Sequence, residues 1–354
     1  MHVLVEGSGG SSGWPQPGCR CASCLRTAAD GSMRRRSTIV VDGVVRLGAG
    51  TAEGGTAEGG DAAGYRVGAI AGGWDVTAPD GGRLLYPGGP GAVPVPPEGA
   101  APYDVAFLDL LGDPTQLGLL RARGLITAGT VTAVAFADHR VPSERELTRR
   151  CGFWQVRLMG DGDAVTGARS AQNVFKGFTR TRRVLVLGGA RSGKSERAEL
   201  RLAGEPDVTY VATASDGAGD PEWAARVAAH RARRPAWWRT AETTELAGGL
   251  ATARGALLID GIGTWLAAVL GQCGGWDDPG ERLAGMIAEL VGAWRQTSAY
   301  VVAVSDETGL GVVPATPAGR LFRDELGRLN QALAAESDEA ELVVAGRVLP
   351  LDAW

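Results

Sequence analysis

Val184-Leu-Val-Leu-Gly-Gly-Ala-Arg-Ser-Gly-Lys-Ser195 decides how the chain is read. Four apolar residues, Val184 to Leu187, predict a short buried strand. Gly188 and Gly193 bracket a loop, Lys194 and Ser195 follow, and Glu196-Arg-Ala-Glu-Leu-Arg-Leu202 predicts the opening of a helix. This is the pattern G-x-x-x-x-G-K-[ST] in the strand-loop-helix setting that a phosphate-binding loop requires. The glycines let the backbone N–H groups from Gly188 and Gly189 through Ala190, Arg191, Ser192 and Gly193 turn toward one point. There a polyphosphate meets the positive end of a helix dipole. Lys194 is placed to reach the β- and γ-phosphates, and the Ser195 hydroxyl to complete Mg²⁺ coordination. A glycine-rich turn with no ligand is the competing reading, and the correct flanks count against it. The chain reads as a nucleotide-binding enzyme.

Beyond the loop, apolar strands alternate with helices. Asp207-Val-Thr-Tyr-Val-Ala212 predicts a strand with Thr213 and Ala214 at its C-terminal end, and Pro221 to Arg233 a helix. Trp237 to Glu242 reads as extended, and Gly255 to Asp260 and Ser298 to Asp306 are apolar strands ending in acid. Phe322 to Ala335 predicts a helix and Glu341 to Ala345 the last strand. This alternation indicates α/β architecture, a mostly parallel sheet covered by helices on both faces. Ligands bind such sheets beyond the strand C-termini, so the loop, Thr213, Asp260 and Asp306-Glu307 should gather on one edge. Asp260 stands where a carboxylate would hold Mg²⁺ with Ser195; a helix N-cap is its bland alternative. In the run His230-Arg-Ala-Arg-Arg-Pro235 an imidazole is surrounded by Arg231, Arg233 and Arg234. Cations beside an imidazole disfavour its protonated form and offset phosphate charge as it develops. A surface histidine at a basic helix end is the other reading.

Length and composition frame these motifs. At 354 residues the chain suggests two domains, here 1–180 and 181–354. A hydrophobic content of 44% and a net charge of −4 fit a globular protein with no broad attraction to nucleic acid or anionic membrane. No apolar run reaches membrane-spanning length and no signal-peptide core opens the chain, so a cytoplasmic location is expected. Much of the glycine lies in the first hundred residues, which are expected to be loop-rich. Thr-Ala-Glu-Gly-Gly occurs twice in tandem over Thr51 to Gly60 and predicts a flexible loop. Ser37 to Gly43 and Val44 to Leu47 predict a hairpin, Tyr103 to Asp109 and Val131 to Phe136 strands, and residues around Asp113 to Arg123 a helix. Ser143-Glu-Arg-Glu opens another helix with a capping-box pattern. Cys19, Cys21 and Cys24 form C-x-C-x-x-C, a thiolate set suited to tetrahedral Zn²⁺. The expected fourth donor is His139, with Cys151 as the alternative, and buried or incidental thiols are the competing reading.

Two resemblances add to this. The opening Gly7-Ser-Gly-Gly-Ser-Ser-Gly-Trp-Pro-Gln-Pro-Gly-Cys-Arg-Cys-Ala-Ser-Cys24 resembles metallo-β-lactamase-fold phosphodiesterases of the phosphonate-pathway type. These carry a C-x-C-x-x-C structural zinc completed by a histidine after a late strand, where Ala135-Phe-Ala-Asp-His139 falls. Their catalytic H-x-H-x-D-H signature is absent here. The chain has only His2, His139 and His230, and Phe136 stands at a catalytic metal position. The resemblance implies a degenerate domain that keeps a structural zinc and no binuclear hydrolase centre.

From the phosphate loop onward the chain resembles the bifunctional adenosylcobinamide kinase/adenosylcobinamide-phosphate guanylyltransferases of cobalamin biosynthesis. The matching stretches are Leu187 to Ser195, Tyr210 to Ala214, Ala224 to Glu242, Leu257 to Asp260, Glu307 to Pro314 and Arg320 to Gln331, in the family's order. The resemblance implies that a triphosphate bound at the loop, with Lys194, phosphorylates the aminopropanol arm of adenosylcobinamide. It also implies that His230 attacks the α-phosphorus of GTP, and that adenosylcobinamide phosphate then takes the GMP. Ala212, Thr213, Ala214, Arg231, Ala232, Arg233, Arg234, Glu242 and Asp260 occupy positions that contact guanine nucleotide in the family. Asp260 matches a Glu in some relatives, and Ser305-Asp306 replaces a Thr-Asn pair. ATP or GTP as phosphoryl donor, Mg²⁺ as cofactor and a homo-oligomer complete the expectation. The rival is a P-loop NTPase coupling hydrolysis to motion or signalling, which gives no account of His230 and its arginines.

Overall fold

The computed structural model describes residues 1–48, 56–58, 64–167, 183–213, 221–273 and 280–351. Ala214, most of the tandem glycine repeat and the expected boundary near residue 180 lie outside them. The chain divides into two compact units, Met1–Thr179 with Ala203–Pro206, and Arg180–Leu202 with Asp207–Trp354.

In the N-terminal unit the elements run β1 (His2–Gly7), α1 (Ala22–Ala29), β2 (Thr38–Val41), β3 (Val45–Gly48), β4 (Thr56–Glu58), β5 (Arg66–Ile70), β6 (Gly73–Thr77) and β7 (Arg83–Pro87). Then come β8 (Val105–Leu108), α2 (Thr115–Ala122), β9 (Val131–Val134), α3 (Glu144–Trp154) and β10 (Ala164–Thr166). One sheet has the order β10-β1-β2-β3-β4 and the other β5-β6-β7-β8-β9, antiparallel except for the parallel pairs β7–β8 and β8–β9. Alternate residues of both sheets, among them Val3, Val5, Ile39, Val41 and Leu47 on one side and Val76, Leu84, Tyr86 and Phe107 on the other, share one core. The expected hairpin is β2–β3, turned at Asp42 (φ 49°) and Gly43 (φ 74°). The glycine-rich first hundred residues hold β1 to β7 and α1 and are loop-rich as expected, since more than half of the described ones lie outside these elements. The Ser143 cap is present: its side chain accepts from Glu146 N at 3.2 Å.

The C-terminal unit runs β11 (Arg183–Gly188), α4 (Lys194–Leu202), β12 (Val208–Ala212), α5 (Pro221–Arg233), β13 (Arg239–Glu242), α6 (Leu246–Thr252) and β14 (Ala256–Asp260). It continues with α7 (Ile262–Gln272), α8 (Gly280–Gln296), β15 (Tyr300–Asp306), α9 (Pro317–Ala335), β16 (Glu339–Val344) and β17 (Arg347–Pro350). Seven strands form one sheet in the order β13-β12-β14-β15-β11-β16-β17, all parallel pairs except β16–β17. Strand alternation splits the apolar side chains cleanly. Leu185, Leu187, Leu257, Ile259, Val301 and Ala303 meet α7, α8 and α9 on one face, while Val184, Val186, Leu258, Val302 and Val304 meet Ala198 and Leu202 of α4 on the other. Each such Val, Leu or Ile side chain, once buried, contributes about 1.5–3 kcal/mol. β16 is not the last strand, as the sequence reading had it. The chain turns at Ala345 (φ 49°) and Gly346 (φ 71°) and returns as β17 on the sheet edge.

Candidate functional site

β11 delivers its C-terminus into the phosphate loop, and the loop's shape depends on glycine. A Cβ on Gly188 would stand 2.5 Å from Ser192 Oγ and 2.7 Å from the Val343 carbonyl oxygen, so no larger residue fits. Gly193 has φ +97° and accepts the amide of Arg197 at 2.9 Å, which starts α4. Parallel pairing sets Gly188 opposite Asp306 at the end of β15. Lys194 Nζ lies 2.8 Å from Asp306 Oδ1 and donates to the Gly189 carbonyl at 3.1 Å. The sequence left Asp306 without a role; here it is the lysine's carboxylate partner.

Parallel pairing of β12 with β14 brings Ala212 beside Asp260, and the Asp260 carboxylate is the hub of the site. Its Oδ2 accepts the Tyr210 hydroxyl at 2.7 Å and faces His230 Nδ1 at 3.2 Å, while Oδ1 faces Ser195 Oγ at 3.5 Å. Burial works to raise this carboxyl. Hydrogen bonds from His230 and Tyr210, with the charges of His230 and Lys194, outweigh it and hold Asp260 below the usual carboxylate range. The helix-cap reading fails, because Gly261 is the N-cap of α7. Thr213 Oγ1 braces that turn, donating to the Gly261 carbonyl at 2.6 Å and accepting its amide at 3.2 Å.

The arginines around His230 are engaged rather than bare. Arg231 pairs with Glu242 at 2.8 Å, and Arg233 with Glu199 at 3.2 Å. Arg234 stacks over the Tyr210 ring at 3.6 Å and donates from Nε to the His230 carbonyl at 3.1 Å. Burial dominates at Glu199 and raises its carboxyl despite the Arg233 bonds. The nearest charged partner of the imidazole is therefore a carboxylate, where the sequence suggested an arginine cluster alone.

These groups line a cavity of about 760 Å³. Of the candidates, Ala190, Arg191, Ser192, Gly193, Lys194, Ser195, Ala212, His230, Arg231, Arg233, Arg234, Glu242 and Asp260 face it. Gly188, Gly189, Thr213 and Ala232 do not. Gly188 is buried behind the loop, Thr213 is turned into the Gly261 turn, and Ala232 sits on the exposed side of α5. Sequence reading missed Tyr210, Thr240 and Thr264, which also line the cavity. Tyr210 had one visible signal, a polar-tipped residue in the middle of a strand, two residues before its C-terminal end.

Ser195 Oγ and Asp260 Oδ1 suit Mg²⁺: both are hard oxygen donors, separated by little more than the spacing of neighbouring ligands on an octahedral ion. In the N-terminal unit, the donor atoms of Cys19, Cys21, Cys24 and His139 all lie within 4.8 Å of one another. Cys19 Sγ and Cys24 Sγ stand 3.5 and 3.6 Å from His139 Nδ1. Tetrahedral zinc, with sulfur at about 2.3 Å and nitrogen at about 2.0 Å, spaces these atoms about 3.5 Å apart. Cys21 caps α1, and Ser23 Oγ donates to the Val141 carbonyl at 2.7 Å, which ties the cysteine helix to the segment after His139. Cys151 is outside the cluster. It is buried, and burial pushes its thiol up to about 12. Phe136 is fully buried, edge-on to Tyr86 with ring centroids 5.9 Å apart. The neighbouring acids Asp109 and Asp138 are held by Arg140 at 2.7 and 2.8 Å.

A family model matches within the C-terminal unit. Residues 184–351 match the family model "Cobinamide kinase / cobinamide phosphate guanyltransferase". The bifunctional adenosylcobalamin biosynthesis protein CobP of Pseudomonas aeruginosa is 46% identical over 175 residues, 48% of this chain and 96% of that protein. The corresponding CobU proteins of Salmonella typhimurium and Escherichia coli are 41% and 38% identical over 175 residues, each match covering 46% of this chain and 96% of the relative. Among solved structures, Zn(2+)-bound PqqB from Methylobacterium extorquens aligns with 47% of this chain and 100% of that one, at 15% identity and a TM-score of 0.29, too low to carry an argument.

Proposed function

We propose how the cavity works from one premise: this chain belongs to the cobinamide kinase / cobinamide phosphate guanyltransferase family. It is an enzyme of adenosylcobalamin biosynthesis that acts in nucleotide loop assembly, with adenosylcobinamide kinase and adenosylcobinamide-phosphate guanylyltransferase activity. The observation that carries the site assignment is that the phosphate loop and His230 line one cavity. In the kinase reaction the loop amides and the start of α4 take the triphosphate, and Lys194 exchanges Asp306 for phosphate oxygens. The γ-phosphoryl passes to the hydroxyl of the aminopropanol arm, with ATP or GTP as donor. Mg²⁺, held by Ser195 Oγ and Asp260 Oδ1, would neutralise charge on the phosphates. In the second reaction His230 is the nucleophile toward the α-phosphorus of GTP, and adenosylcobinamide phosphate receives the guanylyl group. Arg231, Arg233 and Arg234 supply positive charge at the same wall of the cavity.

For the N-terminal unit we infer a structural zinc on Cys19, Cys21, Cys24 and His139. Four protein donors close the coordination shell, the mark of a structural site. Phe136 and the Arg140-paired acids leave no second metal set among the described residues. No helix among the described residues is long and apolar enough to cross a membrane.

The functional test follows two labels from GTP in the presence of adenosylcobinamide. Label in the γ-phosphate should appear in adenosylcobinamide phosphate, and label in the α-phosphate in adenosylcobinamide-GDP with release of pyrophosphate. Hydrolysis to GDP and inorganic phosphate with no label on the corrinoid would establish the NTPase reading instead.

A further inference from the structure

We propose that Tyr210 and Asp260 are positioning residues that select the attacking nitrogen of His230, so that Nε2 and not Nδ1 forms the bond to phosphorus. This rests on the guanylyl-transfer reading above and adds an atomic assignment to it.

Three elements converge to make the selection. β14 ends at Asp260, and β12 runs parallel beside it with Tyr210 opposite Leu258 and Ala212 opposite Asp260. Tyr210 thus lies one alternation back on the adjacent strand, and its hydroxyl reaches Asp260 Oδ2 at 2.7 Å. α5 then brings His230 Nδ1 to 3.2 Å from the same oxygen. An ionised carboxylate only accepts hydrogen bonds, so the ring nitrogen facing it carries hydrogen. That tautomer leaves the lone pair on Nε2. Tyr210 is 5% exposed and held from above by the Arg234 guanidinium, whose Nε also bonds the His230 carbonyl. The phenol therefore fixes the carboxylate, and the cation stacked on it is tied to the backbone of the nucleophile. Asp260 divides its work between its oxygens, Oδ2 toward Tyr210 and His230 and Oδ1 toward Ser195.

The chemistry balances with the proton left in place. The Nε2 lone pair attacks the α-phosphorus of GTP, the P–O bond to the β-phosphate breaks, and its electron pair leaves with pyrophosphate. Hydrogen stays on Nδ1, so the guanylylated ring is a cation, and Asp260 offsets its charge. A phosphate oxygen of adenosylcobinamide phosphate then attacks the same phosphorus. The P–N electron pair returns to Nε2 and the ring is neutral again. Neither step needs a proton to leave the imidazole.

The test reads the position of the phosphorus on the ring. Wild-type protein is reacted with GTP and digested in base, which preserves the phosphoramidate, and the guanylyl-histidine is identified from its ¹H–³¹P couplings. Substitution at Nε2 is expected, and substitution at Nδ1 overturns the proposal while leaving guanylyl transfer standing. No guanylyl-histidine at all would overturn the functional reading together with the proposal. As a second measurement, Tyr210→Phe should slow labelling by α-labelled GTP about tenfold more than it slows phosphoryl transfer to adenosylcobinamide, the loss of one hydrogen bond to a charged group. Equal slowing of both reactions, or of neither, overturns the positioning role of Tyr210.

Discussion

In the N-terminal unit Cys19, Cys21, Cys24 and His139 turn their donor atoms inward on one point; in the C-terminal unit Lys194, Ser195, His230 and Asp260 turn theirs toward a cavity of about 760 Å³. Both sets are built at the ends of short elements and both combine groups that are costly to bury unpaired. With the proposed zinc the first set is closed, because four protein donors would complete a tetrahedron and leave no position for a substrate. The second is open. Its charges are matched by partners that a nucleotide's phosphates can replace, as Asp306 matches Lys194 and Glu242 matches Arg231. A closed constellation can only hold the chain together, whereas an open one can exchange partners and so can turn over. That difference separates a structural metal from an active site more reliably than the residue types do.

The comparison breaks first at the metal. Protein purified without chelator should contain about one zinc per chain, and Cys24→Ser should lose it. Structural zinc contributes on the order of 10 kcal/mol in small domains, so a large loss of stability is expected in the N-terminal unit. The kinase rate measured at low temperature should stay within about twofold, in keeping with a structural role. Zinc-free wild-type protein, or metal-dependent phosphodiesterase activity, would contradict a closed structural site.

Lys194→Ala comes next. It removes a charge that follows the transferring phosphoryl group, and phosphoryl transfer should fall about a thousandfold, roughly 4 kcal/mol. Turnover within a few-fold of wild type would mean that the loop only binds.

The same helix provides an internal control. One turn beyond the loop, Arg197 and Arg201 reach Glu341 at 2.8 Å, all three side chains nearly fully buried, and Arg201 also pairs with Glu339. These are closed charges in the open unit. Glu341→Gln should cost about 3 kcal/mol of stability by leaving buried guanidinium charge under-compensated. Chemical denaturation measures this, and a change below about 1 kcal/mol would show that the network contributes little.

What the sequence disclosed follows from the range of the interactions involved. The phosphate loop was readable because strand, glycines, lysine and helix are contiguous, and the central strands because both faces are buried and their apolar runs are continuous. β5 and β17 were not, since Arg66-Val-Gly-Ala-Ile70 and Arg347-Val-Leu-Pro350 are largely exposed and lack the apolar run of a covered strand. Ser195, Lys194 and His230 were visible as types, and Asp260 as the acid expected with Ser195, but the carboxylate partners of Lys194 and His230 were not. Asp260 reaches Tyr210 across 50 residues and Ser195 across 65, distances that the β12–β14, β14–β15 and β11–β15 pairings close. For zinc, the residues left His139 and Cys151 open. The fold brings His139, and not Cys151, to the cysteine donors, because α3 buries Cys151 while the segment after β9 carries His139 to the cysteine helix.

His230 is the one histidine in the nucleotide-binding unit, and it stands beside Asp260 on the cavity wall. The most direct measurement is covalent labelling of wild-type and His230→Ala protein with α-labelled GTP. Wild-type protein should take up label that is lost in acid and kept in base, at His230, and His230→Ala should take up none while retaining part of its kinase activity, which needs no protein nucleophile. Label of the same strength on His230→Ala, or label mapped to another residue, would contradict the mechanism.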